Sequence, residues 1–213
     1  HIAEHQEVKA GLRALGLDHS RVRGIIYQFV TLLRAGQLVK MSTRRAEYVT
    51  LDELVDEVGA DVVRFLFLTR KADTHLEFDL DLAKKQSSEN PVYYIQYAYA
   101  RVHSINAKAS QAKIMAKESG FELLNKEEEL SLIKKIGSFP DILMVCYNEL
   151  DPYALVSYMQ DLATCFHKFY DSHRVIDPEN IELSSERLAL TNAAKVVLGN
   201  GLRLLGLSTP KKM

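Results

Sequence analysis

The residues best suited to chemistry lie in residues 90–117, NPVYYIQYAYARVHSINAKASQAKIMAK. On a helix, Tyr94, Tyr97 and Arg101 fall at i, i+3 and i+7 and share one face. Flat aromatic rings beside a guanidinium suit unstacked bases and a phosphate backbone. From Pro91 to Lys117 there is no Asp or Glu, while Arg101, Lys108, Lys113 and Lys117 are cationic. Any one of these tyrosines, taken alone, reads better as a core residue with its hydroxyl at the rim. The set, on an acid-free helix, favours nucleic acid.

A second constellation occupies residues 36–48, GQLVKMSTRRAEY, where Lys40, Ser42, Thr43, Arg44 and Arg45 crowd a polar loop. A lysine, hydroxyls and arginines in a loop suit a polyphosphate on which charge develops. A solvated basic loop is the plainer alternative, and composition does not choose between them. Metal chemistry finds little support. Asp79 and Asp81 lack a third ligand at suitable spacing and read as helix-start acids. His167 and His173, six residues apart, fall on different helix faces. Cys146 and Cys165 sit in apolar helical patterns and read as buried inert thiols.

These residues need a scaffold, and 213 residues are enough for one large or two small domains with real cores. Hydrophobic content of 47% and charged content of 26% are ordinary for a soluble globular protein. The net charge of -1 does not announce a nucleic-acid partner, but the distribution does. Acids cluster in 52–61 and 118–129, while 91–117 and 187–213 contain none. Segregation of this kind makes local potentials that net charge hides. No apolar run is long enough to span a membrane and no signal peptide is present. The chain begins at His1 directly on helix-like sequence, so a fragment of a longer cytoplasmic protein is expected.

The element pattern divides the chain. Residues 2–16 predict an amphipathic helix with Val8, Leu12 and Leu15 apolar and Gly16 as its stop. Residues 23–33 are β-branched and aromatic, which predicts a buried strand of an α/β sheet. Thr50 and Glu53 make a capping box for a helix through Val58, with Gly59 its C-cap and another apolar helix after it. Residues 73–82 predict a short extended connection, and Ser87-Ser88-Glu89-Asn90 a domain boundary. Asn90 then caps the tyrosine helix, with Pro91 at its first position. A capping box at Asn125 and Glu128 opens a helix carrying Leu130, Ile133 and Ile136, and Pro140 restarts the helix towards Glu149. Asp151-Pro152 opens a helix whose stripe of Leu155, Met159, Leu162, Phe166 and Phe169 predicts core. Asp177-Pro178 marks a turn before a last helix over 185–205. The expected fold class is mainly α: an antiparallel helix bundle over 89–213, preceded over 1–88 by the end of an α/β domain.

The wording of four stretches goes further. KMSTRRAEYVTLDELVDEVGADVVRFLFL resembles the KMSK loop of class I aminoacyl-tRNA synthetases and the helices after it, in the arginyl form. NPVYYIQYAYARVHSI resembles the first helix of that type's DALR anticodon-binding domain. DPYALVSYMQDLATCFHKFYDSHRV resembles its middle helix, and LLGLSTPKKM its C-terminus. The resemblance covers nearly the whole chain, with these motifs in the expected order. Tyr99 departs from the pattern, where members often carry His, but away from the Tyr94–Tyr97–Arg101 face.

The resemblance implies an arginine–tRNA ligase, with ATP as substrate, Mg2+ in solution, no protein-bound metal, and arginine and tRNA as partners of a monomer. It implies catalytic roles for Lys40, Ser42 and Arg44, with Lys40, Met41 and Ser42 at the ATP phosphates. Thr43 replaces the motif's second lysine, whose charge falls to Arg44 or to a lysine outside the chain. It further implies anticodon-loop contacts by Tyr94, Tyr97, Arg101, Tyr170 and Met213. The family's HIGH motif lies before His1, so the chain by itself is expected not to activate arginine. Two alternatives stay open. A sister synthetase of cysteinyl or methionyl type is opposed by the scarcity of cysteines. A helical interaction module is opposed by the acid-free surfaces.

Overall fold

The computed structural model describes residues 2–39, 49–85 and 89–213. Helix α2 (Leu51–Val58) opens as its capping box requires: Glu53 N donates to Thr50 Oγ1 at 3.1 Å and Thr50 N to Glu53 Oε2 at 2.8 Å. Gly59, at φ +88°, turns the chain from α2 into α3 (Ala60–Phe67), a conformation that glycine adopts without cost. Before these lie α1 (Ile2–Ala14), a 3-10 turn at His19–Arg21, and strands β1 (Val30–Arg34) and β2 (Gln37–Leu38).

The sheet departs from the sequence expectation. Only Val30–Leu33 of the expected 23–33 strand pairs, with Arg34 extending β1 beyond it, because ladder bonding begins at the Val30–Leu76 register. Ile25, Tyr27 and Phe29 upstream are 59%, 82% and 83% exposed. Val8 of α1 and Leu15 just beyond its end are likewise exposed, at 57% and 76%, and Leu12 is half-buried. The expected extended connection over 73–82 is a true strand, β3 (Leu76–Asp79), parallel to β1 and opposite β2 in the order β2-β1-β3. Asp79 then caps α4 (Leu80–Ala83) and Asp81 accepts from Ala35 N at 2.6 Å, so both are helix-start acids. The expected boundary falls partly on 86–88, outside the described residues.

The bundle follows: α5 (Pro91–Gln111), α6 (Glu127–Gly137), α7 (Phe139–Glu149), α8 (Tyr153–Ser172) and α9 (Ile181–Leu204). Helix α8 is central and packs against α5, α6, α7 and α9. Its predicted stripe is core: Met159, Leu162, Phe166 and Phe169 are wholly enclosed and Leu155 nearly so. Each such side chain contributes about 1.5–3 kcal/mol of burial. Asn90 caps α5 through Oδ1, accepting from Val92 N at 3.3 Å, and its Nδ2 donates to Ala83 O at 3.1 Å. One side chain thus starts the bundle and ties it to α4.

Helix α6 corrects its prediction in register and face. Lys126 occupies the cap position, and its N donates to Glu129 Oε2 at 2.9 Å. Leu130 and Ile133 are 42% and 39% exposed, while Glu129 and Leu132 are enclosed. On that inward face, beside Leu132, Arg187 of α9 donates through Nε to Glu129 Oε1 at 2.8 Å, so the enclosed carboxylate is paired. A similar pair joins Lys117 to the enclosed Glu186 at 2.6 Å. No helix among the described residues is long and apolar enough to cross a membrane.

Candidate nucleic-acid interface

Tyr94, Tyr97 and Arg101 line the edge of α5 that faces α8, where His167, Tyr170 and Asp171 sit at i, i+3 and i+4. The two edges interlock. The Arg101 guanidinium lies 4.6 Å from the Tyr97 ring centroid and 4.2 Å from that of Tyr170, a cation held against two rings. Arg101 Nη2 also donates to the Tyr97 hydroxyl. Tyr97 is 42% exposed, so the assembly is an open shelf rather than part of the core.

His167 supports the shelf from below. Its ring centroid stands 4.5 Å from that of Tyr94 and 5.8 Å from that of Tyr97. Its Nε2 lies 3.3 Å from Tyr94 O, and since a carbonyl only accepts, Nε2 carries the proton. Burial pushes the His167 pKa below its ordinary value of 6.5, and nearby Arg101 adds to this. A neutral imidazole therefore braces the tyrosines.

Beside the shelf opens a cavity of about 450 Å³, within the size range of small-ligand sites. Tyr170 forms one wall, Ile105 and Val175 supply apolar surface, Lys108 and Arg174 bring nitrogen donors, and Asp171 adds a carboxylate. His173 Nε2 is 3.0 Å from Glu128 Oε2, and Arg187 Nη2 is 3.3 Å from its Nδ1. Since guanidinium only donates, the proton again sits on Nε2. The arrangement offers flat rings, a positioned guanidinium and a recess with an apolar wall and polar rim, a set that suits an unstacked base and its phosphate.

The structure thus brings Tyr94, Tyr97, Arg101 and Tyr170 into one cluster. Met213, at the chain end, is 52% exposed. Lys40, Met41, Ser42, Thr43 and Arg44 lie outside the described residues; Val39 and Val49, which flank them, pack against the core. Sequence reasoning missed His167 as the brace, and Asp171, whose Oδ1 stands 3.6 Å from Arg101 Nη1. Their spacing with Tyr170 was visible on α8, but not which helix that edge would meet. Among the described residues no His, Cys, Asp or Glu cluster has the form of a metal site.

Comparison with known proteins bears on this geometry. Residues 95–213 match the model of the DALR anticodon binding domain. An arginine–tRNA ligase of Desulfotalea psychrophila is 48% identical over 216 residues, covering 100% of this chain and 39% of the relative. One from Salinibacter ruber is 49% identical over 214 residues, covering 100% of this chain and 38% of the relative. The chain therefore spans less than two fifths of the length of these relatives. Among solved structures, a Campylobacter jejuni protein assigned as an arginyl-tRNA synthetase superposes with a TM-score of 0.83 at 31% identity. That alignment covers 96% of this chain and 44% of the other. The Thermus thermophilus arginyl-tRNA synthetase shares the fold, with a TM-score of 0.78 at 23% identity over 98% of this chain and 39% of that one.

Proposed function

This chain belongs to the DALR anticodon-binding domain family, and from that premise we propose that it is the tRNA-binding part of an arginine–tRNA ligase. In this reading residues 89–213 hold the anticodon loop, and residues 1–88 belong to the part that handles ATP. The observation that carries it is the Arg101 guanidinium clasped by Tyr97 and by Tyr170, which also lines the cavity, on a helix without acids. Clasping reduces the conformational freedom Arg101 loses on binding, so more of each new hydrogen bond appears as affinity. Arg101 then takes a phosphate or base edge, Tyr94 and Tyr97 present rings to bases, and Tyr170 walls the recess. Met213 adds an apolar contact from the tail.

The same reading gives the residues at 40–44 their work. Lys40, Met41 and Ser42 close on the ATP phosphates, with Arg44 adding charge while arginine is activated and passed to tRNA. Such chemistry relies on positioned charge rather than on a covalent protein nucleophile. The protein acts as a cytoplasmic monomer.

The test is binding of the chain to an arginine-accepting tRNA and to the same tRNA with a swapped anticodon, each at low and moderate salt. Salt-sensitive binding that weakens on the swap supports the reading. Binding indifferent to the anticodon, or none, overturns it.

A further inference from the structure

Helix α5 has a second flank, and it faces α9 rather than α8. Tyr99, His103 and Asn106 lie on it at i, i+4 and i+7. Asn106 Nδ2 donates to Asn192 Oδ1 of α9 at 2.9 Å, which fixes the two helices side by side. A Cβ at Gly199 of α9 would stand 3.0 Å from the Tyr99 ring, with the Arg203 guanidinium about as close at 3.5 Å. Lys195 of α9 and Lys211 of the C-terminal tail both lie near enough to His103 to oppose its protonation, after burial itself. The Nε2 of His103 is enclosed and has no hydrogen-bond partner among the described residues.

The tail is not a loose end. Gln96 Nε2 donates to Asp61 Oδ2 at 2.7 Å and to Ser208 Oγ at 2.9 Å. Ser208 N lies 3.2 Å from both Asp61 carboxylate oxygens, and its hydroxyl donates to Oδ2 as well. Leu205 and Leu207 are buried, and Gly206, at φ +69°, lets the Arg64 side chain of α3 lie against the tail. This clamp of Asp61, Gln96 and Ser208 joins α3, α5 and the tail, and so sets where Lys211 stands. It also occupies the carboxylate that meets the tail. Among the described residues Lys195, Arg203, Lys211 and Lys212 form no ion pair, and residues 187–213 contain no acid.

We propose that Lys195, Arg203 and Lys211, ranged along the α9 flank of α5 with the tail clamped beside them, form a second RNA contact that grips backbone phosphates without reading bases. It rests on the tRNA-binding reading but differs from the shelf in chemistry. The shelf has rings and a recess, whereas this flank has cations on flexible stems, which suit phosphate and not base identity. A helix with its side chains is about 10–12 Å across, so a strand held at Arg101 reaches the other flank within a few nucleotides.

The test uses the whole chain, an arginine-accepting tRNA and its anticodon-swapped form, across a salt series. Lys195→Ala and Lys211→Ala are expected to weaken both tRNAs by the same factor, about 3–10-fold each, leaving the discrimination ratio intact. Each loses about 0.7–0.9 from the log–log salt slope, as one phosphate contact removed requires. Asp61→Ala, which frees the tail, is expected to weaken binding in the native background but to add little once Lys211, Lys212 and Met213, the tail's assigned contacts, are alanine. A merely structural role for Asp61 would add its loss in both backgrounds. If the lysine variants keep native affinity and slope while Arg101→Ala binds weakly, the second contact is overturned and the anticodon reading stands. If the unaltered chain shows no anticodon-sensitive binding, the reading beneath both is overturned.

Discussion

Arg101 concentrates the argument at the scale of single residues. Its guanidinium is held between the Tyr97 and Tyr170 rings, and its Asp171 neighbour at 3.6 Å, 71% exposed, holds it only loosely. Arg101→Ala is expected to weaken tRNA binding by about 1–3 kcal/mol and lower the salt slope by about 1. Tyr97→Ala is expected to cost about 1–3 kcal/mol of binding if its ring carries a base. Since Tyr97 is 42% exposed, its thermal midpoint should move little; a large drop with unchanged binding would return the ring to a packing role. Asp171→Asn has the opposite sign. It removes a negative charge from the surface where the proposed function places a phosphate, so affinity should rise a few-fold at low salt and converge with the parent at high salt, where screening removes the difference. Isothermal titration at two salt concentrations reads all three.

At the scale of elements, the shelf depends on how closely α8 and α9 approach, because α8 carries three of its six residues. A Cβ at Gly201 of α9 would come within 2.1 Å of Met159 Sδ, and Met159 is wholly enclosed on α8. Gly201→Ala must displace that side chain or part the helices. A loss of about 1–3 kcal/mol is expected, as for other overpacked cores, seen as a lower thermal midpoint. Binding per folded molecule should fall only if α8 moves relative to α5. The capped starts of α2 and α5 were legible because a cap is a local bargain between a side chain and the next turn. The face of α6 was not. Leu130 and Ile133 look like its inner stripe, yet the enclosed residues are Leu132 and Glu129, the latter paired with Arg187 far along the chain. Likewise 25–29 read as strand from composition, although ladder bonding begins only where β3 supplies a partner.

The whole molecule should respond to acid through its two partly enclosed histidines on α5 and α8. Burial lowers the pKa of both His103 and His167 from 6.5. The unfolded chain therefore takes up protons first as pH falls, and stability declines from about pH 6.5 down to the depressed values, then levels. Glu53, Glu57 and Glu128 have pKa values below 4.5 through a hydrogen bond from Thr50 N, a contact from Lys84 and a hydrogen bond from the Glu128 backbone N–H respectively. Their stabilising contributions are present above that value and are lost in a separate, more acidic window. Urea midpoints between pH 7.5 and 5.5 should fall, and His167→Phe should flatten part of that slope. A native-like slope in His167→Phe and in His103→Phe would remove the histidines as its cause.

What the sequence by itself determined is the local and the periodic: capped helix starts, the buried stripe of α8, the acid-free runs, and the tyrosines and arginine sharing one edge of α5. Each depends on residues within a few turns of one another, so spacing alone carries it. Tertiary structure decided which edges meet. It brought His167 under Tyr94 and Tyr97, Tyr170 over Arg101, and Ser208 onto Asp61 and Gln96, across 73, 69 and 147 or 112 positions. Those pairings arise from the packing of helices whose apolar faces have many compatible partners, and no short-range signal selects among them.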